Sequence, residues 1–197
     1  MKRFFVLLML VIAGNARSGS DSFEVEAVLK RDFRPRGQAT MDRVPQDGLQ
    51  RLCTESDNKP PPALARQLEA DQMKTILYPQ GSLLGDWKNG ERLAQGGRGL
   101  TWSDRAGGPN DGSCYNCHQI SPQESSYGTI GPSLLGFGKK RGNGAEAQRY
   151  VYGKIYNSKA YNACSQMPRL GHSGTLSAEQ IKDLVALLLD PASPVNR

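Results

Sequence analysis

Long apolar runs are scarce in this sequence. Of its 197 residues, 38% are apolar and 7% aromatic, which is too hydrophilic for a protein that crosses a membrane several times. The apolar fraction is nevertheless too high for a disordered chain. The longest unbroken apolar run, residues 4–13, would span about 15 Å as a helix, or about half the hydrocarbon core of a bilayer. We therefore expect no permanent membrane anchor.

The N-terminus has the layout of a secretory signal peptide. Lys2 and Arg3 precede the apolar run, and Gly14-Asn15-Ala16 supplies small residues for cleavage. We predict that residues 1–16 are a cleaved signal and that the mature protein is periplasmic. No cysteine lies near the cleavage region, so we expect no lipid-anchored cysteine there. The alternative is a buried N-terminal helix.

Helix signals are concentrated in the second half of the chain. Asp86 is a good N-cap for a helix over residues 87–95, and Ser177 with Gln180 predicts a capping box for residues 178–189. Another helix is expected from Pro62, with Leu64, Leu68, Ile76 and Leu77 on one face.

The first half of the chain shows little sustained periodicity. Residues 23–29 alternate between apolar and polar side chains, which predicts one short strand or an extended segment. We place a boundary near residue 80, with an N-terminal extension over residues 17–80 and a compact helical domain over residues 81–197.

Four cysteines and two histidines are present, and three of these six residues lie within five consecutive positions. Cys114-Tyr115-Asn116-Cys117-His118 is the attachment pentapeptide of c-type haem. Two thiols one helical turn apart add to the two vinyl groups of the porphyrin, and the following histidine reaches the iron. The motif therefore predicts one covalently attached haem c, and the predicted export agrees with attachment outside the cytoplasm.

The same short motif has other interpretations. It also occurs in redox dithiols and structural disulfides, although no βαβ pattern surrounds it here. A tetrahedral zinc site would need a fourth ligand. The candidates for that ligand are Cys53, Cys164 and His172.

A six-coordinate haem iron needs a second axial ligand. Met167 lies 49 residues after His118, between Gln166 and Pro168, in a loop that could hold a thioether over the iron. We predict that Met167 is this ligand, with core packing as the alternative. The other candidates are Met41, Met73, His172, Cys53, Cys164 and lysine side chains.

Residues 131–136, Gly-Pro-Ser-Leu-Leu-Gly, follow the haem motif. This segment and its position resemble those of the class I cytochrome c family. The resemblance covers about residues 80–190 and implies an all-α, cytochrome c-like domain around one haem. It implies that the helices over residues 87–95 and 178–189 cross, and that the carbonyl of Pro132 accepts a hydrogen bond from the His118 ring. A plain Gly-Pro turn is the alternative for Pro132.

Three segments point to one particular family of these cytochromes: residues 128–136, 167–171 and 181–195. Together they resemble the SoxX family, the small cytochrome subunit of the SoxAX thiosulfate-oxidising complex. This implies a heterodimer with a SoxA-like cytochrome subunit that carries the catalytic nucleophile. It also implies transient contacts with the SoxYZ carrier protein, whose cysteine receives thiosulfate, and with a soluble electron-acceptor cytochrome. Residues 189–196 are the most specific part, although they suggest no role toward haem.

Cys53 and Cys164 remain outside the haem motif. In an oxidising compartment a leftover pair most simply forms a disulfide, which here would close a span of 111 residues. The alternatives are two free thiols, or Cys164 as a ligand or a nucleophile.

No other catalytic constellation is visible, so we predict an electron-transfer subunit of an L-cysteine S-thiosulfotransferase. A free-standing periplasmic electron carrier is one alternative, and a haem sensor or peroxidase with a displaceable sixth ligand is another. Lys139-Lys140-Arg141 could steer an acidic partner or simply be a solvated loop. Because export is expected, we expect no nucleic-acid partner.

Overall fold

The structure, a computed structural model, describes residues 21–99, 101–105 and 107–197. The predicted signal peptide, residues 1–16, lies outside this part of the chain. Within it, no residue forms a strand, apart from an isolated bridge between Arg36 and Ala39. The prediction of an all-α fold is confirmed. No helix among the described residues has the length and apolar character needed to cross a membrane.

The described residues form seven α-helices. They are α1 (Asp21–Asp32), α2 (Gly48–Glu55), α3 (Pro62–Met73), α4 (Trp87–Gln95), α5 (Phe137–Arg141), α6 (Ala145–Tyr156) and α7 (Ala178–Leu189). Single 3₁₀ turns cover Met41–Arg43, Cys114–Asn116, Ser158–Ala160 and Pro194–Asn196.

Capping residues set the starts of the helices that the sequence predicts. The Asp86 carboxylate accepts a hydrogen bond from the Lys88 backbone N–H and caps α4. Ser177 and Gln180 form a reciprocal capping box at the start of α7. These helix starts are confirmed, as is the start of α3 at Pro62. Proline lacks an N–H, but the N–H groups of the first helical turn have no partner within the helix, so no hydrogen bond is lost.

The chain divides between Arg34 and Pro35 into two compact units. The described part of the first unit is α1 and the two residues that follow it. The prediction of a strand in this segment is wrong. A strand needs a neighbouring strand for its backbone hydrogen bonds, and none exists among the described residues. A helix forms these hydrogen bonds within its own segment. Glu26 and Lys30, one turn apart, add an ion pair on its surface.

The core of the second unit is built on α4 and α7. Gly90 of α4 lies against the backbone of α7, since a Cβ atom at this position would be 2.1 Å from the Asp183 carbonyl oxygen. The Gly85 N–H also donates to the Lys182 carbonyl at 3.0 Å. Because no side chain separates the two helices here, they pack closely, and Leu93, Leu184 and Leu187 are buried around the contact.

Most of the predicted extension belongs to this second unit. Asn157, at the end of α6, is fully buried and donates 2.9 Å hydrogen bonds to the side chains of Gln72 and Thr75. Tyr152 of α6 donates to the Leu77 carbonyl at 3.2 Å. The structural division therefore lies earlier in the chain than the boundary predicted near residue 80.

The apolar face predicted for α3 is wrong in part. The helix ends at Met73, so Ile76 and Leu77 lie beyond it. Ile76 is buried, but Leu77 is 71% exposed. The turn after Met73 breaks the helical period, and the two residues consequently point to different surroundings.

Candidate functional site

The cysteine motif forms one tight turn. The N–H groups of Cys117 and His118 both donate to the Cys114 carbonyl, at 3.1 and 2.9 Å, so the two thiols lie one turn apart. Both cysteines are free thiols and partly buried. Burial raises the pKa of Cys114 to about 12, which keeps this sulfur protonated at neutral pH.

Backbone hydrogen bonds fasten this turn on both sides. Before it, the Gly112 N–H donates to the Leu93 carbonyl of α4 at 2.8 Å. After it, the Gly128 N–H donates to the Tyr115 carbonyl at 2.8 Å, and the Gly131 N–H donates to the Cys117 carbonyl at 2.8 Å. The motif is therefore held between α4 and the loop that contains Pro132.

The His118 ring is oriented by that loop. Its Nδ1 lies 2.8 Å from the Pro132 carbonyl oxygen. A carbonyl can only accept, so Nδ1 is the donor, and in the neutral ring Nε2 is then the nitrogen with the lone pair. Gly131 lies against the ring, since a Cβ atom there would be 2.2 Å from His118 Cε1. An imidazole with one nitrogen hydrogen-bonded and the other unprotonated is arranged as a metal ligand requires.

The candidates for the second axial ligand have different surroundings. Met167 is partly buried and packs against the core cluster that Cys114 also contacts. Its carbonyl accepts a 2.6 Å hydrogen bond from the Ser158 hydroxyl. By contrast, Met73 is 37% exposed and His172 is exposed. Desolvation of part of the ring and the nearby Arg169 cation lower the pKa of His172.

Two cross-links hold the segment around Met167 to α2. Cys164 and Cys53 are joined by a disulfide in the structure. Arg169, two residues after Met167, forms an ion pair with Asp47, the N-cap residue of α2. The Asp47 side chain is 41% exposed, and the desolvation of the rest opposes ionisation. The Gln50 N–H and the Arg169 guanidinium outweigh this effect and hold the pKa of Asp47 below its ordinary value.

Residues 189–196, for which the sequence suggests no role, contact the segment that follows Pro132. The Gly136 N–H donates to the Val195 carbonyl at 2.8 Å, and the Lys139 N–H donates to Asn196 Oδ1 at 3.2 Å. The buried Asn196 amide also donates to the Leu188 and Asp190 carbonyls, at 3.1 and 2.9 Å. Asn196 thereby ties the end of α7 to α5, which begins five residues after Pro132.

Asp111 is a second residue whose role the sequence does not indicate. Its carboxylate is buried and accepts from the Arg98 guanidinium, with Nε at 2.8 Å. Gly96 lies against this carboxylate, because a Cβ atom there would be 2.2 Å from it. The pair fixes the loop between α4 and Cys114. Because Asp111 follows Pro109 and Asn110, it resembles an ordinary loop residue in the sequence.

Among the described residues, no group of three or more His, Cys, Asp or Glu side chains is placed to hold a metal ion. Cys53 and Cys164, two candidates for a zinc ligand, are bonded to each other. The Cys114–His118 turn, with the lone pair on His118 Nε2, fits covalently attached haem.

The chain is similar to known proteins in both sequence and structure. No protein-family model matches the chain. The chain is similar to a crystal structure of SoxXA from P. pantotrophus, with 26% identity and a TM-score of 0.41 over 60% of this chain and 95% of that one. It is also 37% identical, over 155 residues, to an uncharacterised lipoprotein of Aquifex aeolicus (strain VF5), covering 77% of this chain and 73% of that protein. The chain belongs to the same family as this Aquifex lipoprotein.

Proposed function

We propose that the chain is a mono-haem c-type cytochrome that transfers single electrons. The observation that carries the proposal is the hydrogen bond between His118 and Pro132, next to the paired thiols of Cys114 and Cys117. Haem bound here would supply an iron centre that cycles between ferric and ferrous states.

Each residue of the site has a defined task in this proposal. The sulfurs of Cys114 and Cys117 attach the porphyrin, and His118 Nε2 is the proximal ligand. Pro132 holds the proton on Nδ1 and so fixes the ring orientation. Met167 would supply an uncharged thioether ligand to the iron, which would favour the ferrous state and raise the reduction potential. Iron held by both His118 and Met167 would favour electron transfer over peroxide chemistry.

We further propose that the cytochrome is the electron-accepting subunit of a SoxAX-type complex. The segments that resemble the SoxX family support this assignment. The complex would join thiosulfate to a cysteine of SoxYZ, with the nucleophile on a SoxA-like partner and electrons leaving through this chain to a soluble cytochrome. Because each conjugation releases two electrons, this chain would accept them one at a time.

Export is part of the same proposal. The family relationship to a lipoprotein supports an exported protein, and covalent haem attachment requires one. Residues 1–16 would then be removed as a signal peptide, and residues 81–197 would carry the haem. The basic side chains of Lys139, Lys140 and Arg141 lie together in α5 and could steer an acidic partner.

Native purification from the periplasm tests the proposal. The full gene is expressed with the haem-attachment machinery, and the protein is purified without denaturant and analysed by haem stain after a denaturing gel. We expect a stained band at this chain's mass and a second, larger haem protein that co-purifies. A stained but monomeric protein would favour a free-standing electron carrier. An unstained band would exclude a c-type cytochrome. A Cys114→Ala/Cys117→Ala variant is the control for the stain.

A further inference from the structure

A polar cavity of about 200 Å³ lies beside the disulfide, between α2 and the segment around Met167. Its lining includes Gln50, Lys159, Gln166, Met167 and Arg169. The volume corresponds to several water molecules, at about 30 Å³ each. It is below the range of about 300–1,000 Å³ that is typical of sites for drug-sized molecules. The cavity therefore suits a small ion.

Lys159 contributes a buried ammonium group to this cavity. The residue is only 6% exposed. Among the described residues, its Nζ makes one hydrogen bond, to the Ala163 carbonyl at 3.3 Å, and no carboxylate lies within ion-pair distance of it. Since a buried charge is costly without a counter-charge, this lysine favours an anion in the cavity.

Arg169 places a second cation at the same cavity. Its side chain is 18% exposed, and its ion pair with Asp47 uses one end of the guanidinium. A guanidinium has five N–H donors, so donors remain for a further acceptor. With Lys159 and Arg169 positive and Asp47 negative, the group carries a net charge of +1.

A neighbouring amide adds a further donor. The Gln50 Oε1 accepts from the Asp47 N–H at 2.9 Å, and the NH₂ group of the same side chain takes no part in this bond. The Gln166 Nε2, by contrast, already donates to Asn58 Oδ1 at 3.3 Å and to the Cys164 carbonyl at 3.5 Å. A planar or tetrahedral group rich in oxygen acceptors would match cations and amide donors arranged around one small space.

We propose that this cavity is a binding site for a small inorganic oxyanion of the sulfate or phosphate class, held by Lys159 and Arg169. Cys114, Cys117 and His118 do not line the cavity, whereas Met167 forms part of its wall. The proposal does not depend on the haem assignment. It concerns binding alone, so it can be measured without any electron-transfer assay.

Calorimetric titration of the purified full chain tests the proposal. Sodium sulfate and sodium phosphate are each titrated at constant ionic strength, with chloride as the balancing anion. We expect one saturable site per chain for at least one of the two anions, and at least tenfold weaker binding by the Lys159→Met variant. The absence of saturable binding to the wild-type chain would overturn the proposal.

Lys154→Met is the matched control. Lys154 is also a half-buried lysine, but its Nζ approaches the Ser158 carbonyl at 3.5 Å and it is not part of the cavity wall. We expect this variant to bind the anion as the wild type does. Equal binding by the Lys159→Met variant and the wild type would contradict the proposal. If the Lys159→Met variant does not fold, Arg169→Gln gives the same test, with the same two outcomes.

Discussion

The Nδ1 atom of His118 lies 2.8 Å from the carbonyl oxygen of Pro132, a residue fourteen positions later in the chain. The contact is possible because Gly131 leaves room for the ring next to the backbone. The orientation of the proposed proximal ligand therefore depends on a glycine as much as on the proline whose carbonyl it uses.

A methyl group at position 131 should displace the His118 ring. A Cβ atom there would be 2.2 Å from Cε1, far inside van der Waals contact. We expect Gly131→Ala to lower the free energy of unfolding by about 1–3 kcal/mol, as overpacking does, and to weaken the bond from His118 to iron. Urea unfolding and the visible spectrum of the ferrous protein measure the two effects.

Gly144→Ala is the control for this variant, because a Cβ atom at position 144 meets nothing within 4 Å. We expect its stability and spectrum to match the wild type. A Gly131→Ala protein that was indistinguishable from the Gly144→Ala protein would show that the ring position is not set by this contact.

Met167 should control access to the sixth coordination position. We expect carbon monoxide to leave the wild-type ferrous protein unchanged and to bind Met167→Ala, because the thioether that blocks the iron is gone. Met167→His should lower the reduction potential, since imidazole does not favour ferrous iron as a thioether does. Met73→Ala, at an exposed methionine, is the control. Carbon monoxide binding by the untreated wild type would argue for a sensor or peroxidase.

Asn196 is buried, and its side chain should stabilise the domain through its hydrogen bonds to three backbone groups. Asn196→Ala removes the hydrogen bonds to the Leu188 and Asp190 carbonyls and the one accepted from Lys139. We expect the free energy of unfolding to fall by about 2–3 kcal/mol, because buried backbone groups lose their partners. Asn143→Ala, at an exposed asparagine, should change it little. Similar urea midpoints for the two variants would contradict this role.

The features that the sequence predicts correctly are those encoded by neighbouring residues. The starts of α4 and α7 depend on caps that act within three residues. The alternating pattern of residues 23–29, in contrast, is ambiguous over so short a span, and it predicts a strand where the structure has α1.

Contacts between distant residues explain what the sequence does not predict. Asn157 is buried because Gln72, 85 residues earlier, accepts its hydrogen bond, and this contact places the predicted extension inside the second unit. In the sequence Lys159 resembles a surface lysine, because its burial depends on the Ala163 carbonyl and the other residues around the cavity. The orientation of His118 could be expected only through the family resemblance, because it requires the Pro132 loop to return to the motif.

Asp47 should make stability depend on pH in the acid range. Its pKa is lower in the folded protein than in the unfolded chain, so its contribution is complete above the unfolded pKa, near 4. This contribution is lost as the pH falls through the lower, folded pKa. We expect the Asp47→Asn variant to have a lower free energy of unfolding than the wild type at pH 6. At pH 2–3 the difference between the two proteins should be smaller.

Asp57→Asn, at an exposed aspartate, is the control and should follow the wild-type pH profile. Urea unfolding at a series of pH values measures all three proteins. A constant difference between Asp47→Asn and the wild type across the series would exclude the proposed linkage.

The disulfide should account for a large part of the stability. It links residues that are 111 positions apart, and closing a loop of this length is worth about 4–5 kcal/mol by the chain-entropy relation. We expect the Cys53→Ala/Cys164→Ala variant to lose about this amount in urea unfolding. Reductant should destabilise the wild type but not the variant. Equal effects of reductant on both would mean that the bond contributes nothing.

Mass spectrometry of the denatured, acid-extracted protein after thiol alkylation tests the central claim most directly. We predict a chain that keeps the mass of one haem, takes up no alkyl group without reductant, and takes up two after reduction, at Cys53 and Cys164. A chain that lost all its colour and took up four alkyl groups after reduction would show that Cys114 and Cys117 carry no haem. The proposed electron-transfer function would then be wrong.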